Sequence, residues 1–340
     1  MRFVDLVFWF LGVCGFLALI FNVFLILLIL FCTRSALGLY KWILIIFALF
    51  ESCYSLIVFL GTPIHLVTDK VWIVLSHDSL LHHTPFYFAG PSVYCLFWYM
   101  WIFFVAFLFV YRYVIVCHDN FKNFIQRSSW MKLALFIFYS AQVAYSITCG
   151  VYWCTRMTLS SEMKRYINTT FGFDDFDRMG FMLFGIRNLD GSFSPSGAWA
   201  LANHYLVILL SGAIIIYCTV TIYLTLENHR RTSSFEIDVQ FQRQLFYTLL
   251  VQTSIPFLMY HIPTVVFLTF PLWPDNSQFG SAVPLFSCFT TFTKILDPIV
   301  TIIGIKDYRR ACSNFLAYLG LARPIRTTPL PTLSEFTTRC

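Results

Sequence analysis

Charged residues are scarce in this chain of 340 residues. Lysine, arginine, aspartate and glutamate together make up 12% of the sequence, whereas hydrophobic residues make up 58%. Because soluble globular domains carry about a quarter charged residues, this composition excludes an ordinary soluble fold. The net charge of +6 does not indicate a nucleic-acid-binding protein, since the basic residues form no block and lie mostly between the apolar runs.

The sequence also lacks the short motifs of catalytic sites. It contains no P-loop, no nucleophile elbow and no HExxH pattern. His77, Asp78, His82 and His83 are close in sequence, but their spacing is not that of a metal site, and a solvated loop explains them. We therefore expect no enzyme, no bound metal and no cofactor.

Seven long apolar stretches take up most of the chain. Each reaches or exceeds the roughly 20 residues that a helix needs to cross a bilayer, and inside lipid a helix satisfies its own backbone groups. The sequence therefore predicts an all-α membrane protein, a seven-transmembrane helix bundle over residues 1–305. The predicted stretches are 3–32, 42–67, 86–117, 131–154, 198–226, 244–270 and 281–305.

The distribution of lysine and arginine predicts that the N-terminus lies outside and the C-terminus inside. In this orientation the inner segments hold fourteen of these residues and the outer segments hold seven, of which five lie in the long 156–197 loop. Long loops weigh least in the positive-inside rule, which sharpens the contrast. Asn168, Thr169 and Thr170 form an N-glycosylation sequon in that loop, and this second signal also places the loop outside.

A few strongly polar side chains fall inside the apolar stretches. Asn22, Glu51 and Asp297 lie about 13–17 Å from the inner ends of their helices, so they share nearly one depth. A charged group at mid-bilayer costs at least ~2.5–3.5 kcal/mol and needs a reason. Lys294 lies three residues before Asp297, which favours an ion pair on one helix face, with Glu51 in the same layer. The layer is either static packing or a hydrated switch, and the shared depth favours the switch.

A series of short motifs runs through these stretches in order. Tyr111-Arg112-Tyr113 resembles the Asp/Glu-Arg-Tyr motif of G-protein-coupled receptors, with tyrosine in place of the acid. The other motifs are Ser35-x-x-Gly38-x-Tyr40-Lys41, Phe50-Glu51-Ser52-Cys53-Tyr54-Ser55, Pro63-Ile64-His65, Tyr94-Cys95, Gln242-Arg243-Gln244-Leu245-Phe246, Gln252-Thr253-Ser254-Ile255-Pro256, Pro263, Asp297-Pro298-Ile299 and Ile305-Lys306-Asp307-Tyr308-Arg309. Over about residues 10–315, the series resembles the nematode serpentine chemoreceptors, most closely the Str class.

This resemblance implies a G-protein-coupled chemosensory (olfactory) receptor of the plasma membrane, located in a sensory-neuron cilium. Its implied partners are a small-molecule odorant or other chemical ligand, a heterotrimeric G protein and the lipid bilayer, with no nucleic acid. The coupling and switch residues that it implies are Arg112, Tyr113, Pro256, Asp297 and Pro298. Because Tyr111 replaces the acid, Arg112 would be held by Tyr111, Tyr113, Glu236 or Asp238. Pro256 and Pro263 each remove a helical hydrogen bond and predict a kinked sixth helix.

The outer halves of the third, fifth and sixth stretches carry aromatic and histidine residues that predict a ligand site. Pockets for small molecules are mostly apolar and hold a few polar groups. The candidate ligand-binding residues are Tyr94, Trp98, Trp101, His204, Tyr205, Tyr260 and His261. Such a pocket suits a small, weakly polar molecule.

Most of the eleven cysteines lie in apolar runs and are expected to act as packing residues. Many receptors join the third helix to the following outer loop by a disulfide, which here would link Cys95 to Cys154. Cys95 lies only about 25 Å above Arg112, within the bundle rather than at its rim, and this argues against the bridge. Residues 306–320 predict a juxtamembrane amphipathic helix in which Cys312 is a palmitoylation candidate, followed by a disordered cytoplasmic tail over 321–340.

Two other functional classes remain open. An odorant-gated ion channel of inverted topology also has seven helices, but it would place Asn168 in the cytoplasm. A small-solute transporter would show internal repeats with paired broken helices, and the sequence shows no such repeat.

Overall fold

The computed structural model of the chain describes residues 3–32, 39–67, 72–76, 89–117, 140, 144, 161–173, 180–184, 192–232, 236–269 and 283–318. Within these ranges six helices are long and apolar enough to cross a membrane. The predicted fourth stretch, 131–154, lies outside the described residues except for residues 140 and 144.

The helices follow the predicted stretches in chain order. The helical elements are α1 (Phe3–Cys32), α2 (Leu39–Gly61), α3 (Gly90–Cys117), α4 (Ser161–Phe171), α5 (Pro195–Thr232), α6 (Glu236–Pro256), a π-helical turn (Phe257–His261), α7 (Ile262–Thr269), α8 (Val283–Gly304) and α9 (Lys306–Tyr318). α6, the π-helical turn and α7 together form the sixth stretch, and α8 is the seventh. α4 is a short helix of the 156–197 loop, not a membrane span. α5 and α6 extend past the predicted bounds 226 and 244, because Glu, Gln and Arg continue a helix beyond its apolar part.

The second stretch was predicted as one helix over 42–67, and this is wrong at its end. α2 stops at Gly61, Thr62 has a positive φ of 39°, and residues 64–67 form a strand. Pro63 explains the break, because proline disfavours the helical conformation of the residue before it. Hydrophobicity alone cannot separate such a strand from a continuing buried helix.

A three-stranded antiparallel sheet lies across one end of the bundle, here called the sheet end. Its strands are β1 (Ile64–Val67), β2 (Trp72–Ser76) and β3 (Gly180–Phe184), with β2 in the centre. Ile64 pairs with Leu75, and Trp72 pairs with Phe184. β1 and β2 are buried throughout. The sequence analysis did not predict this sheet.

The two faces of the sheet contact different partners. Alternate residues such as Ile64 and Ile73 pack with Phe8 of α1 and Ile167 of α4. The opposite face belongs to the main core of the bundle, where α1 packs on α2 and α8, α3 packs on α5, and α8 packs on α6. The sheet is therefore a covered layer between the helices and the 161–173 segment.

The sixth helix is irregular between its two prolines. Pro256 ends α6, and the π-helical turn Phe257–His261 follows, closed by the Ile262 N–H, which donates to the Phe257 carbonyl five residues back. Pro263, which follows Ile262 directly, has no backbone N–H to donate to the preceding turn. The two missing donors explain why the regular α-helical pattern is interrupted at this place.

α9 is helical over residues 306–318 of the segment for which a juxtamembrane amphipathic helix is predicted. Tyr308 is fully buried, half-buried Cys312 packs against the main core, and Tyr318 is exposed. Burial raises the pKa of the Cys312 thiol. The remainder of the predicted 306–320 helix and the 321–340 tail lie outside the described residues.

Close packing of α1 on α2 provides a test of the fold. A Cβ atom at Gly15 would lie 2.8 Å from the Phe59 backbone nitrogen, and backbone cannot move aside cheaply. We expect Gly15→Ala to destabilise the protein by about 1–3 kcal/mol, measured as a lower thermal midpoint in detergent. Gly12→Ala is the matched control, since its Cβ would meet only Thr62 Cγ2 at 3.8 Å. Equal midpoints for the two variants would contradict this packing.

Candidate functional site

Lys294 of α8 is the centre of a polar group buried inside the bundle. Its Nζ lies 3.6 Å from Glu51 Oε2 of α2, with the two side chains 6% and 1% exposed. The same Nζ lies over the Tyr54 ring at 4.2 Å and over the Trp101 ring of α3 at 4.9 Å. One ammonium group thus joins α2, α3 and α8 through an ion pair and two cation–π contacts.

The partner predicted for Lys294 is therefore wrong. Asp297 is buried in the same layer, but its carboxylate oxygens have no hydrogen-bond partner among the described residues. Lys294 reaches across to α2 because Glu51 and Tyr54, one turn apart, offer it a carboxylate and a ring together. Asn22 is buried too, but its Nδ2 donates to the Ala18 carbonyl of its own helix at 3.0 Å.

Toward the sheet end, four of the predicted ligand-binding residues form one stack. His204 of α5 lies flat on Trp98 of α3, with ring centroids 4.4 Å apart and planes inclined by 13°. His261 of the π-helical turn stacks on Trp101 at 5.3 Å and contacts Trp98 at 5.9 Å. All four side chains are buried. We call Trp98, Trp101, His204 and His261 the aromatic stack.

Tyr99 is the hydrogen-bond partner of His204, and it was not among the residues predicted to bind the ligand. Its hydroxyl lies 2.8 Å from His204 Nδ1, while His204 Nε2 has no hydrogen-bond partner among the described residues. Tyr99 comes directly after Trp98, so its selection required knowing which faces of α3 and α5 meet. His204 Nε2 is therefore a buried polar atom, without a hydrogen-bond partner among the described residues, in an apolar setting.

The other predicted ligand-binding residues have separate surroundings. Tyr94 lies next to the sheet, where its hydroxyl is 3.2 Å from His65 Nε2. Tyr205 donates to the Val265 carbonyl at 3.4 Å. The Tyr260 side chain lies outside the described part of the structure. The aromatic stack thus contains four of the seven candidates.

His65 of β1 connects the sheet to the bundle. Its backbone N–H donates to Ser287 Oγ of α8 at 2.8 Å, and its ring stacks on Trp72 at 5.1 Å. Complete burial lowers the pKa of His65 to about 3, so the ring is neutral at pH 7. In the sequence, His65 is notable only as part of the Pro63-Ile64-His65 motif, which did not predict these contacts.

A small cavity of about 20 Å³ lies beside the aromatic stack and is lined by Trp101, His261, Ser211 and Thr253 among others. This volume holds about one water molecule. In this conformation the rings fill the space between α3, α5 and the sixth helix.

Arg112, at the opposite end of α3, is buried and bonded to the sixth helix. Its Nη1 donates to Gln242 Oε1 of α6 at 2.8 Å, and the Tyr113 ring packs on Tyr217 of α5 at 5.8 Å. The partners predicted for Arg112 did not include Gln242, although this residue stands in a quoted motif. The side chains of Glu236 and Asp238 lie outside the described residues.

α6 and α8 also approach closely at the Arg112 end. Gln244 Nε2 donates to the Gly304 carbonyl at 2.6 Å. A Cβ atom at Gly304 would overlap the Thr248 side chain, including its branched Cβ, so this close approach of α6 and α8 requires glycine. Pro298 is buried inside α8, six residues before Gly304.

The remaining predicted sites stay predictions. Asn168 is exposed on α4, as a glycosylated residue must be. Cys95 is buried in the bundle, and Cys154 lies outside the described residues. Among the described residues no group of histidine, cysteine and acidic side chains has the arrangement of a metal site. His77, Asp78, His82 and His83 are not described.

Comparisons with known proteins agree with this geometry. The family model described as serpentine type 7TM GPCR chemoreceptor Str matches residues 8–313. The chain belongs to the Str family. Serpentine receptor class r-10 of Caenorhabditis elegans is 25% identical, over 88% of each chain. G-protein coupled receptor str-33 of the same organism is 24% identical, over 93% of this chain and 92% of its own.

The fold is similar to that of squid rhodopsin in its crystal structure. The match covers 95% of this chain and 87% of the squid rhodopsin chain, with a TM-score of 0.62. At 16% identity this likeness shows the fold alone. The Str-family protein is thus a multi-pass membrane protein with the seven-transmembrane fold, and a G-protein-coupled chemosensory receptor. The predicted seven-transmembrane fold and the predicted class of G-protein-coupled chemosensory receptor are confirmed, whereas the predicted orientation and ligand site stay predictions. The family is one of receptors, so the ion-channel and transporter alternatives are not favoured.

The buried pair Glu51–Lys294 is expected to be energetically coupled. Lys294→Met or Glu51→Gln alone leaves an uncompensated charge in the bundle and should cost about 3–5 kcal/mol. The double variant should lose less than the sum of the two, with a coupling energy of roughly 0.5–3 kcal/mol in thermal unfolding. Lys294→Met with Asp297→Asn is the matched control cycle and should show weaker coupling. Additive losses for Glu51 and Lys294 would mean that the pair is not formed.

Proposed function

We propose that this receptor binds its ligand at the aromatic stack, with the sheet end outside and the Arg112 end facing a heterotrimeric G protein. The main support for this proposal is the environment of His204. This side chain is 5% exposed, one ring nitrogen is bonded to Tyr99, and the other has no partner among the described residues. An unpaired buried polar atom costs about 1–3 kcal/mol. A small apolar ligand with one hydrogen-bonding group would remove this cost, and the surrounding rings suit its apolar body.

Trp101 supplies a path from the ligand site to the buried charges. One indole contacts both His261 of the aromatic stack and the Lys294 ammonium group. A ligand that displaces His261 must therefore change the setting of Lys294 and its pairing with Glu51. This makes the buried pair a two-state element that the ligand can bias.

At the Arg112 end, the Arg112–Gln242 bond ties α3 to α6. A G protein needs access to the cytoplasmic end of the bundle, so this bond must break or rearrange when the receptor becomes active. The irregular segment between Pro256 and Pro263 allows the two halves of the sixth helix to move separately. The Arg112–Gln242 bond and the bond from Gln244 to the Gly304 carbonyl both lie below this hinge, and both hold the resting state.

The proposed orientation places α4 outside the cell and α9 on the inner leaflet. Exposed Asn168 is then available for glycosylation, and Cys312 is the proposed palmitoylation site. Exposed Phe315 of α9 faces the inner leaflet in this arrangement. We place the receptor in the cilium of a sensory neuron, by analogy with chemosensory relatives.

The ligand site is tested by His204→Phe, which keeps the stacked ring and removes its nitrogens. We expect the potency of an active odorant to fall about 5–150-fold in a cellular G-protein assay, the equivalent of about 1–3 kcal/mol. Tyr205→Phe is the matched control, since that hydroxyl bonds a backbone carbonyl of α7. Unchanged potency in His204→Phe, at normal surface level, would refute binding at the aromatic stack.

The resting bond is tested by two opposite changes at Gln242. Gln242→Ala removes the acceptor of Arg112 and should raise basal nucleotide exchange on the G protein. Gln242→Glu provides a charged acceptor, which binds more strongly than an amide, and should lower it. Purified receptor in nanodiscs gives both rates. If the two variants shift the basal rate in the same direction, the bond does not hold the resting state.

The orientation is tested with a C-terminal tag on the full chain. Protease added to intact cells should leave the tag uncut, and glycosidase should reduce the mass of the receptor. Asn168→Gln should abolish that mass change while leaving the tag protected. Cleavage of the tag in intact cells would overturn the proposed orientation.

A further inference from the structure

A groove of about 290 Å³ opens between α5 and the sixth helix, on the side of the bundle that faces the lipid. Its rim is formed by exposed apolar side chains: Ile216 is 64% exposed, Val220 52% and Leu258 62%. A volume near 300 Å³ is at the lower end of the range for small-molecule sites. The groove is therefore large enough for a small apolar molecule that has dissolved in the bilayer.

The groove and the small cavity beside the aromatic stack share one wall. Gly212, Ile215, Thr253 and Phe257 line both of them. Gly212 leaves a gap in this wall, since a Cβ atom built there would meet nothing within 4 Å. Only a thin and incomplete partition separates the lipid side from the aromatic stack.

Phe257 places a movable element in that partition. It is the first residue of the π-helical turn that ends at His261, so the wall and the aromatic stack belong to one irregular segment. π-helical turns occur mostly as single turns inside α-helices, frequently at functional sites. Motion of this segment would widen the cavity, which holds about 20 Å³ in the present conformation.

The sheet end offers a less direct route. β1 and β2 are buried on both faces, and His65 joins β1 to α3 and α8 through Tyr94 and Ser287. To pass here, a ligand would have to separate this sheet from the helices. On the groove side it needs to displace only the side chains around Gly212.

We propose that the ligand reaches the aromatic stack sideways from the bilayer, through the groove between α5 and the sixth helix and past Gly212. The inference rests on the proposed ligand site and adds the chemical class of the ligand. The receptor takes small apolar molecules that partition into membranes. It responds to their concentration in lipid rather than in water.

The route is tested by photolabelling of the full-length receptor in phosphatidylcholine nanodiscs. The probes are an apolar aryl-trifluoromethyl diazirine, which dissolves in the bilayer, and its sulfonated analogue, which stays in water. Both give carbenes that insert into C–H bonds, and peptide mass spectrometry locates the insertion. In the unmodified receptor the apolar probe should label the groove peptide around Leu258 and the cavity peptide around Trp101 and Ile102, whereas the sulfonated probe should label neither.

Gly212→Phe fills the gap in the wall and should abolish labelling of the Trp101–Ile102 peptide while labelling around Leu258 persists. Leu209→Phe, at a 70% exposed position of the same helix outside the groove, is the matched control and should label like the unmodified receptor. Should Gly212→Phe fail to fold, Ile216→Trp at the rim gives a second block with the same expected loss.

Three results would overturn the proposed route. They are cavity labelling that survives both blocks, cavity labelling by the sulfonated probe, and insertion confined to the groove in the unmodified receptor. The last would mean that the groove holds only an acyl chain or a neighbouring helix. The labelling pattern tests only the route. Failure of the proposed ligand site would be seen separately, as an unchanged response of His204→Phe.

Discussion

The arrangement depends on one buried cation. An ammonium group inside a bilayer is stable only where a carboxylate and polarisable rings replace its water, and Lys294 finds these on two other helices. Glu51 and Tyr54 fix α2 against α8, and Trp101 fixes α3 against both. Because the same Trp101 ring stacks on His261, the charge that holds the bundle together also lies next to the proposed ligand site. Stability and response are therefore not separable at this point.

Sequence reasoning located this layer but not its bonding. The depths of Glu51, Lys294 and Asp297 follow from helical rise, and the structure buries all three. The pairing does not follow, because residue spacing describes contacts on one helix, whereas the contact that forms runs from α8 to α2. For the same reason, residue type and depth selected His204 and His261 for the ligand site, but Tyr99 and Gln242 became visible only once α3, α5 and α6 were placed together.

The elements that the sequence did not show are those in which hydrophobicity is uninformative. β1 continues the apolar run of α2, so only Pro63 marks the change, and β3 lies in a loop more than a hundred residues away. The prolines of the sixth helix did predict an irregularity, but not its form. The π-helical turn matters because it places His261 against Trp98 and Trp101. Local sequence indicates where a helix breaks, whereas packing decides which side chain the break turns inward.

The helices are joined by different kinds of contact at the Arg112 end and in the middle of the bundle. Gln242 is a neutral acceptor, so its bond to the charged Arg112 guanidinium lacks the attraction between opposite charges that a carboxylate would add. This bond joins α3 to α6, and Gly304 permits close packing of α6 on α8 beside it. In the middle of the bundle, by contrast, the contact between Lys294 and Glu51 joins two opposite charges. Removing one partner of the buried Glu51–Lys294 pair would leave an uncompensated charge, which is strongly destabilising. The pair is close to the proposed ligand site. In the proposed mechanism, the balance between resting and active states therefore depends on this buried pair as well as on the bonds at the Arg112 end.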